Sequence, residues 1–175
     1  QSDVKTEDYQ TITGFCHTKN WVERKYFFVI RFDKPFVKSE QLAKGPKENA
    51  PKYIYSFNLD ESKILQVKVA LSAVAVEGAK LNMNAEIPGW NFEQVKNNAQ
   101  KVWNNYLGRI ELEAEPKQKE IFYTSMYHLL LQPSNIADVD GKYRGADDNI
   151  ALAPENEYYS TLSIWDVYRG AFPLL

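Results

Sequence analysis

The hydrophobic period of this chain changes once, near Pro88, and that change limits the fold more than any other feature. Upstream of it, apolar residues recur at every second position. Tyr26, Phe28, Ile30 and Phe32 alternate with Phe27, Val29 and Arg31 until Pro35 ends the run. Tyr53, Tyr55 and Phe57 alternate in the same way over 53–59, and a weaker strand pattern covers 10–17. Across 64–76, Leu65, Val67, Val69, Leu71, Ala73 and Ala75 share one face, with Gln66, Lys68 and Ser72 on the other. That alternation predicts one long strand, its apolar set turned to the core. Residues 41–51, with one Gly and two Pro among charges, read as a loop.

Downstream of Pro88 the period becomes helical. Phe92, Val95, Ala99, Val102, Trp103 and Tyr106 recur at the spacing of a helix over 92–106. Asn91 is placed to cap it with Gln94 as return partner, and Gly108 to end it. Pro116 opens a second helix over 117–131. Phe122, Met126, Leu129 and Leu130 form its stripe, and Pro133 closes it. Residues 138–154 lack a period and read as a long loop. A third helix starts near Thr161, with Leu162, Trp165, Tyr168, Arg169 and Phe172 on one side. Strands followed by helices predict an α+β chain, its border between Gly78 and Trp90. Four strands close a sandwich poorly, so partner strands are expected outside this chain.

Composition excludes some functions. Acids and bases are mixed at a net charge of −2, which is no basic footprint for nucleic acid. No apolar run is long enough to span a bilayer. Cys16 is the single cysteine, so no internal disulfide forms; periplasm and cytosol both fit. The 11 Tyr, 9 Phe and 4 Trp suit sugar binding, but β-rich cores carry the same excess. The start at Gln1 and the apolar end Phe172-Pro173-Leu174-Leu175 both read as cuts through a larger protein.

Few constellations could carry chemistry. The acidic loop Asp138 to Asp148 fails as a helix–loop–helix calcium site, because Tyr143 and Asn149 stand where Gly and Glu are needed. It reads as a solvated loop pinned by Asp–Arg contacts. Trp165-Asp166 joins a flat ring to a carboxylate that can accept from two sugar hydroxyls. The competing reading is a core Trp beside an Asp166–Arg169 ion pair. His128 reads as a satisfied core histidine. Cys16 and His17 point to opposite faces of a strand and cannot form a catalytic pair. Glycoside hydrolysis needs two facing carboxylates, and Asp138, Asp140 and Asp166 are the acids in suggestive settings.

A resemblance sharpens this reading. Phe122-Tyr123-Thr124-Ser125-Met126-Tyr127-His128, then Gln132-Pro133, Asp138-Val139-Asp140-Gly141-Lys142-Tyr143-Arg144-Gly145, and the run from Tyr159 through Trp165-Asp166 to Arg169 closely resemble the bacterial α-mannosidases of glycoside hydrolase family 92. Ile12-Thr13-Gly14-Phe15, Trp21, Tyr26-Phe27 and Phe32-Asp33-Lys34-Pro35-Phe36 also resemble that family's N-terminal domain. The resemblance implies part of an antiparallel β-sandwich over 1–87, a helical linker over 88–115, and the first helices of an (α/α)6 barrel over 116–175. It implies an exo-acting, inverting, calcium-dependent α-mannosidase that trims mannose from glycans. The parent would be periplasmic or secreted, with cell-surface anchoring a further option. The catalytic acid and base, and the main calcium ligands, would lie beyond this chain, leaving it inactive alone. Trp165 and Asp166 match the family's Trp-Asp that lines the sugar pocket. The partners implied are mannose-containing glycans, the rest of the parent chain and, for the chain alone, further copies of itself. A non-catalytic carbohydrate-binding or structural β-sandwich module is the alternative.

Overall fold

The computed structural model of the chain describes residues 1–19, 23–43, 50–160 and 164–174, with the side chains of Ile164, Asp166 and Leu174 left aside. Trp21, part of the loop expected over 41–51, and Thr161, Leu162 and Ser163 of the third motif lie outside the described residues. Two compact units divide the chain. One holds Gln1–Trp90 with Ile136–Tyr158, the other Asn91–Asn135 with Tyr159–Leu175. The return of Ile136–Tyr158 to the first unit, called the tongue below, has no counterpart in the sequence reading.

The first unit is built on an antiparallel sheet of four strands: β1 (Ser2–Thr6), β2 (Thr11–Lys19), β3 (Glu23–Phe32) and β6 (Val67–Ser72), in that spatial order. Ile30 of β3 stands opposite Ile12 on one side and Val69 on the other. Helix α1 (Val76–Glu86) covers one face, where Val29, Ala79 and Met83 form the core and Ala70 packs against them. The other strands form two antiparallel hairpins, β4 (Phe36–Leu42) with β5 (Lys52–Phe57), and β7 (Lys142–Arg144) with β8 (Ile150–Leu152) inside the tongue. The first hairpin is held by rings. Phe36 is buried with its ring 4.9 Å from that of Tyr55, and Phe57 lies 4.8 Å from Phe32. Pro35 thus ends β3 and also precedes a new strand, β4.

Residues 64–76 depart from expectation twice. The strand stops at Ser72, whose Oγ accepts from the backbone N–H groups of Val74 (2.9 Å) and Ala75 (3.2 Å) and turns the chain into α1. Its faces are also the reverse of those expected. Val67, Val69 and Leu71 are 49%, 53% and 55% exposed, while Lys68 and Ser72 are 8% and 3% exposed. The polar face is inward because each polar group there has a partner. The Lys68 ammonium donates to Ile87 O (2.8 Å) and Pro88 O (3.3 Å) and lies 4.2 Å from the centre of the Trp90 ring.

The second unit contains α2 (Phe92–Leu107), α3 (Pro116–Leu129), α4 (Ile164–Val167) and α5 (Ala171–Leu174). Asn91 caps α2 as expected, accepting from the Gln94 N–H at 3.0 Å. The Gln94 amide donates forward to Asn98 rather than back to the cap. Pro116 opens α3, and the Trp103 and Tyr127 rings meet at 4.5 Å between the two helices. The apolar stripe of α2 is largely uncovered, with Phe92 and Val102 at 68% and 52% exposure. The single third helix expected from near Thr161 is, over the described residues, two four-residue helices with a turn at 168–170. Gly170 is a poor helix former, and the Pro173 ring would clash with the Arg169 carbonyl in an unbroken helix. No described helix is long and apolar enough to cross a membrane.

Candidate functional site

Trp165 and Asp166 sit together in the four-residue helix α4. Successive helical residues point about 100° apart, so both reach one pocket only near a helix start. The described part of α4 begins at Ile164, one residue before Trp165. The Trp165 side chain is 89% exposed, so it is no core tryptophan in this chain. The Arg169 guanidinium lies 5.3 Å from the Tyr168 ring centre. Residues 134–136 and 158–160 form a short antiparallel ladder. The Ile136 N–H donates to Tyr158 O (2.8 Å), Asn135 bridges Tyr159, and the Ser160 N–H donates to Ser134 O (2.8 Å). The peptide before Pro133, at the head of this ladder, is cis.

The acidic loop is solvated at Asp147 and Asp148, as expected, but not at Asp138. Asp138 is 2% exposed, and both its carboxylate oxygens accept hydrogen bonds. Ser72 Oγ donates to one at 2.6 Å, and Asn82 Nδ2 donates to the other at 2.8 Å. The Val139 N–H returns a bond to Asn82 Oδ1 at 2.9 Å. A Cβ on Gly78 would collide with Asp138 Oδ2, so glycine at this position makes room for the carboxylate. The Arg144 guanidinium anchors the tongue a second time, donating to Ala73 O (2.8 Å) and Val74 O (3.3 Å). Arg144 also meets Asp148 at 3.1 Å, the one part of the expected Asp–Arg pinning that is present.

The remaining acids are held by cations or amides. The Lys142 ammonium, 2.7 Å away, holds the Asp140 carboxyl below its usual range. Lys25 does the same for Asp148, and the Asn149 amide for Asp147. Among the described residues no group of three or more His, Cys, Asp or Glu could hold a metal ion. The donors of this loop therefore do not fit calcium. His128 is exposed in α3 rather than satisfied in a core, and its ring stands 5.8 Å from that of Tyr127. His17 pairs with Glu23 at 2.7 Å, facing away from Cys16 along β2.

Two shallow concavities lie elsewhere. One of about 220 Å³ is lined by Glu7, Arg31, Lys80 and Met83 in the sheet unit. The other, of about 310 Å³, runs along α3 past Lys117, Ile121 and Thr124. Neither includes Trp165. Sequence reasoning singled out Trp165, Asp166 and Asp138 and did not single out Ser72, Gly78 and Asn82, which meet Asp138 in the fold. No local pattern joins residues 56 and 66 positions from Asp138 to it.

Residues 78–175 match the model of the glycosyl hydrolase family 92 catalytic domain. No curated protein matches the chain. Among solved structures, a family 92 α-mannosidase from Bacteroides thetaiotaomicron is 31% identical over 98% of this chain, with a TM-score of 0.86. The same enzyme matches equally in its complex with mannoimidazole. A family 92 inverting mannosidase from the same organism shares the fold at 22% identity, over 99% of the chain, with a TM-score of 0.83. The chain spans about a quarter of the length of these structures, 25% of the first and 26% of the other. With the family model covering more than half of its residues, this chain belongs to glycosyl hydrolase family 92.

Proposed function

We propose that the protein of which this chain forms part is an exo-acting, inverting, calcium-dependent α-mannosidase of the periplasm or the cell exterior. In this reading the chain supplies a sugar-contact surface rather than the catalytic pair. The observation that carries the proposal is the match over 98% of the chain to an α-mannosidase also solved with mannoimidazole. The 89% exposed ring of Trp165 supports the placement of the sugar. That ring can stack on the C–H face of a terminal mannose, while Asp166 accepts from two of its hydroxyls. Inversion needs one carboxylic acid to protonate the leaving oxygen and one carboxylate to activate water on the opposite face. Asp138, Asp140, Asp147 and Asp148 of the tongue are each engaged by other groups, and on this reading both roles fall to residues outside this chain. Calcium, on the same reading, is bound by the rest of the protein.

Assaying the isolated chain and the full-length protein on a mannobiose tests this, with calcium present. Turnover by the full-length protein alone is expected. Turnover by the isolated chain would refute the division of labour, and no turnover by either would favour a binding or structural module.

A further inference from the structure

We infer that the concavity between α1 and the turn joining β1 to β2 is a binding site for a carboxylate on a short apolar stem, with Arg31 as the residue that receives it. A row of side chains across the sheet leads to this site. Thr11 of β2 stands opposite Arg31 of β3, and Arg31 stands opposite Lys68 of β6. Arg31 is two residues from Val29 on the same strand, so the row shares the face that α1 covers. Two cations in directly opposed positions repel, and the pair needs other groups to offset the cost. For Lys68 the offset is visible in its bonds to Ile87 O and Pro88 O and its contact with Trp90. Arg31 has no such offset: among the described residues, no group accepts from its guanidinium. The neighbouring charges are already matched. The Lys80 ammonium meets both oxygens of Glu7, at 2.8 and 2.7 Å, and Thr13 Oγ1 donates to the same carboxylate. Asp8 Oδ1 accepts from the Gln10 N–H at 2.7 Å, within its own turn.

Charge and shape together narrow the ligand. Arg31, Lys68 and Lys80 are three cations against the two carboxylates of Glu7 and Asp8, which leaves one positive charge over. That surplus suits a monoanion better than a phosphate dianion, which would also face Glu7 and Asp8. The guanidinium is a planar fork that matches a carboxylate through two parallel N–H···O bonds. Beside Arg31 the concavity, of about 220 Å³, is lined by Val29 and Met83, which are 2% and 4% exposed. This apolar lining takes the carbon stem, while Thr11 and Asn84 add polar groups to the rim. An Asp or Glu side chain from elsewhere in the protein and a free short-chain carboxylic acid share this chemistry.

The test reads the melting temperature of the full-length protein as wild type, Arg31→Met and Arg31→Lys. Each is measured at low salt, in about 1 M NaCl, and in sodium butyrate against sodium chloride of equal ionic strength. Methionine keeps an apolar stem at this position and removes only the charged fork. If the carboxylate is a side chain of the protein itself, Arg31→Met should melt about 2–4 °C lower and Arg31→Lys by less, and high salt should narrow the gap. If it is a free acid, butyrate should raise the wild-type melting temperature in a saturable way and leave Arg31→Met unmoved. Either result supports the site and names its source. An unchanged or higher melting temperature in Arg31→Met, with the wild type indifferent to butyrate, overturns the proposal, because losing an unpaired cation only relieves Lys68. A deficit in Arg31→Met that salt does not narrow, without a response to butyrate specific to the wild type, marks lost packing and overturns it too.

Discussion

Gly14 is the residue where a single methyl group matters most visibly. A Cβ there would strike the Asp3 carbonyl of β1 and lie 2.6 Å from the Phe28 ring of β3. Gly14→Ala should cost about 1–3 kcal/mol through forced repacking, read as a lower midpoint in urea unfolding. An unchanged midpoint would mean that the strands shift freely at this point. Asp60 offers a titration test. Its carboxyl is held at about 2, down from 3.8, chiefly by the Lys34 ammonium 2.7 Å away and then by Ser62. Because the folded value is the lower one, the contribution of Asp60 is complete above about pH 4 and is lost as pH falls toward 2. NMR titration should place the Asp60 midpoint near 2, and in Lys34→Met it should return toward the ordinary carboxylate range. An unmoved midpoint in that variant would remove Lys34 as the cause. Gly14 and Asp138 both stood out in the sequence as members of motifs, but their reasons did not. A glycine facing a backbone carbonyl across a sheet and an aspartate bonded 66 positions away depend on register and docking, which local patterns do not encode.

Strand β6 shows how alternation identifies an element without identifying its inner face. The period of two was legible, and so was the antiparallel pairing. The inward side was misread because Lys68 and Ser72, polar in composition, meet partners at Ile87, Pro88 and Asp138. Burial lowers the Lys68 pKa, with the Arg31 charge adding to it, while the two carbonyls and the indole favour the charged form and offset part of that cost. Helix α1 was missed because its inward positions are Gly78, Ala79, Asn82 and Met83, two of them not apolar. Helix α2 was legible from its stripe and its Asn91 cap, since both signals are local. In this chain Val69→Lys should leave stability within about 0.5 kcal/mol, because Val69 is 53% exposed. A core valine would lose several times more. Lys68→Ala should cost about 1–3 kcal/mol, because it strips the bonds to two carbonyls and the contact with Trp90. Thermal midpoints of the two variants decide which face is inward, and the reverse ranking would restore the sequence-based assignment.

At the scale of the molecule, family membership was legible from motif order alone, because motifs survive where packing partners are unknown. The way the tongue rejoins the sheet unit was not. The exposed stripes of β6 and α2 belong to a chain spanning a quarter of the length of the α-mannosidase it matches. The isolated chain should therefore self-associate through them. Sedimentation of a stable monomer at high concentration would contradict this, and Val69→Lys should raise the monomer fraction. The central claim is that this chain holds the sugar and does not perform the chemistry. Asp166→Ala in the full-length protein tests it most directly, with melting temperature and kcat/KM read on the same preparation. The account predicts a kcat/KM lower by about two to four factors of ten with an unchanged fold, since a charged acceptor loses bonds to two hydroxyls worth about 1.5–3 kcal/mol each. A lower melting temperature with kcat/KM per folded molecule unchanged would contradict it and leave Asp166 a structural partner of Arg169.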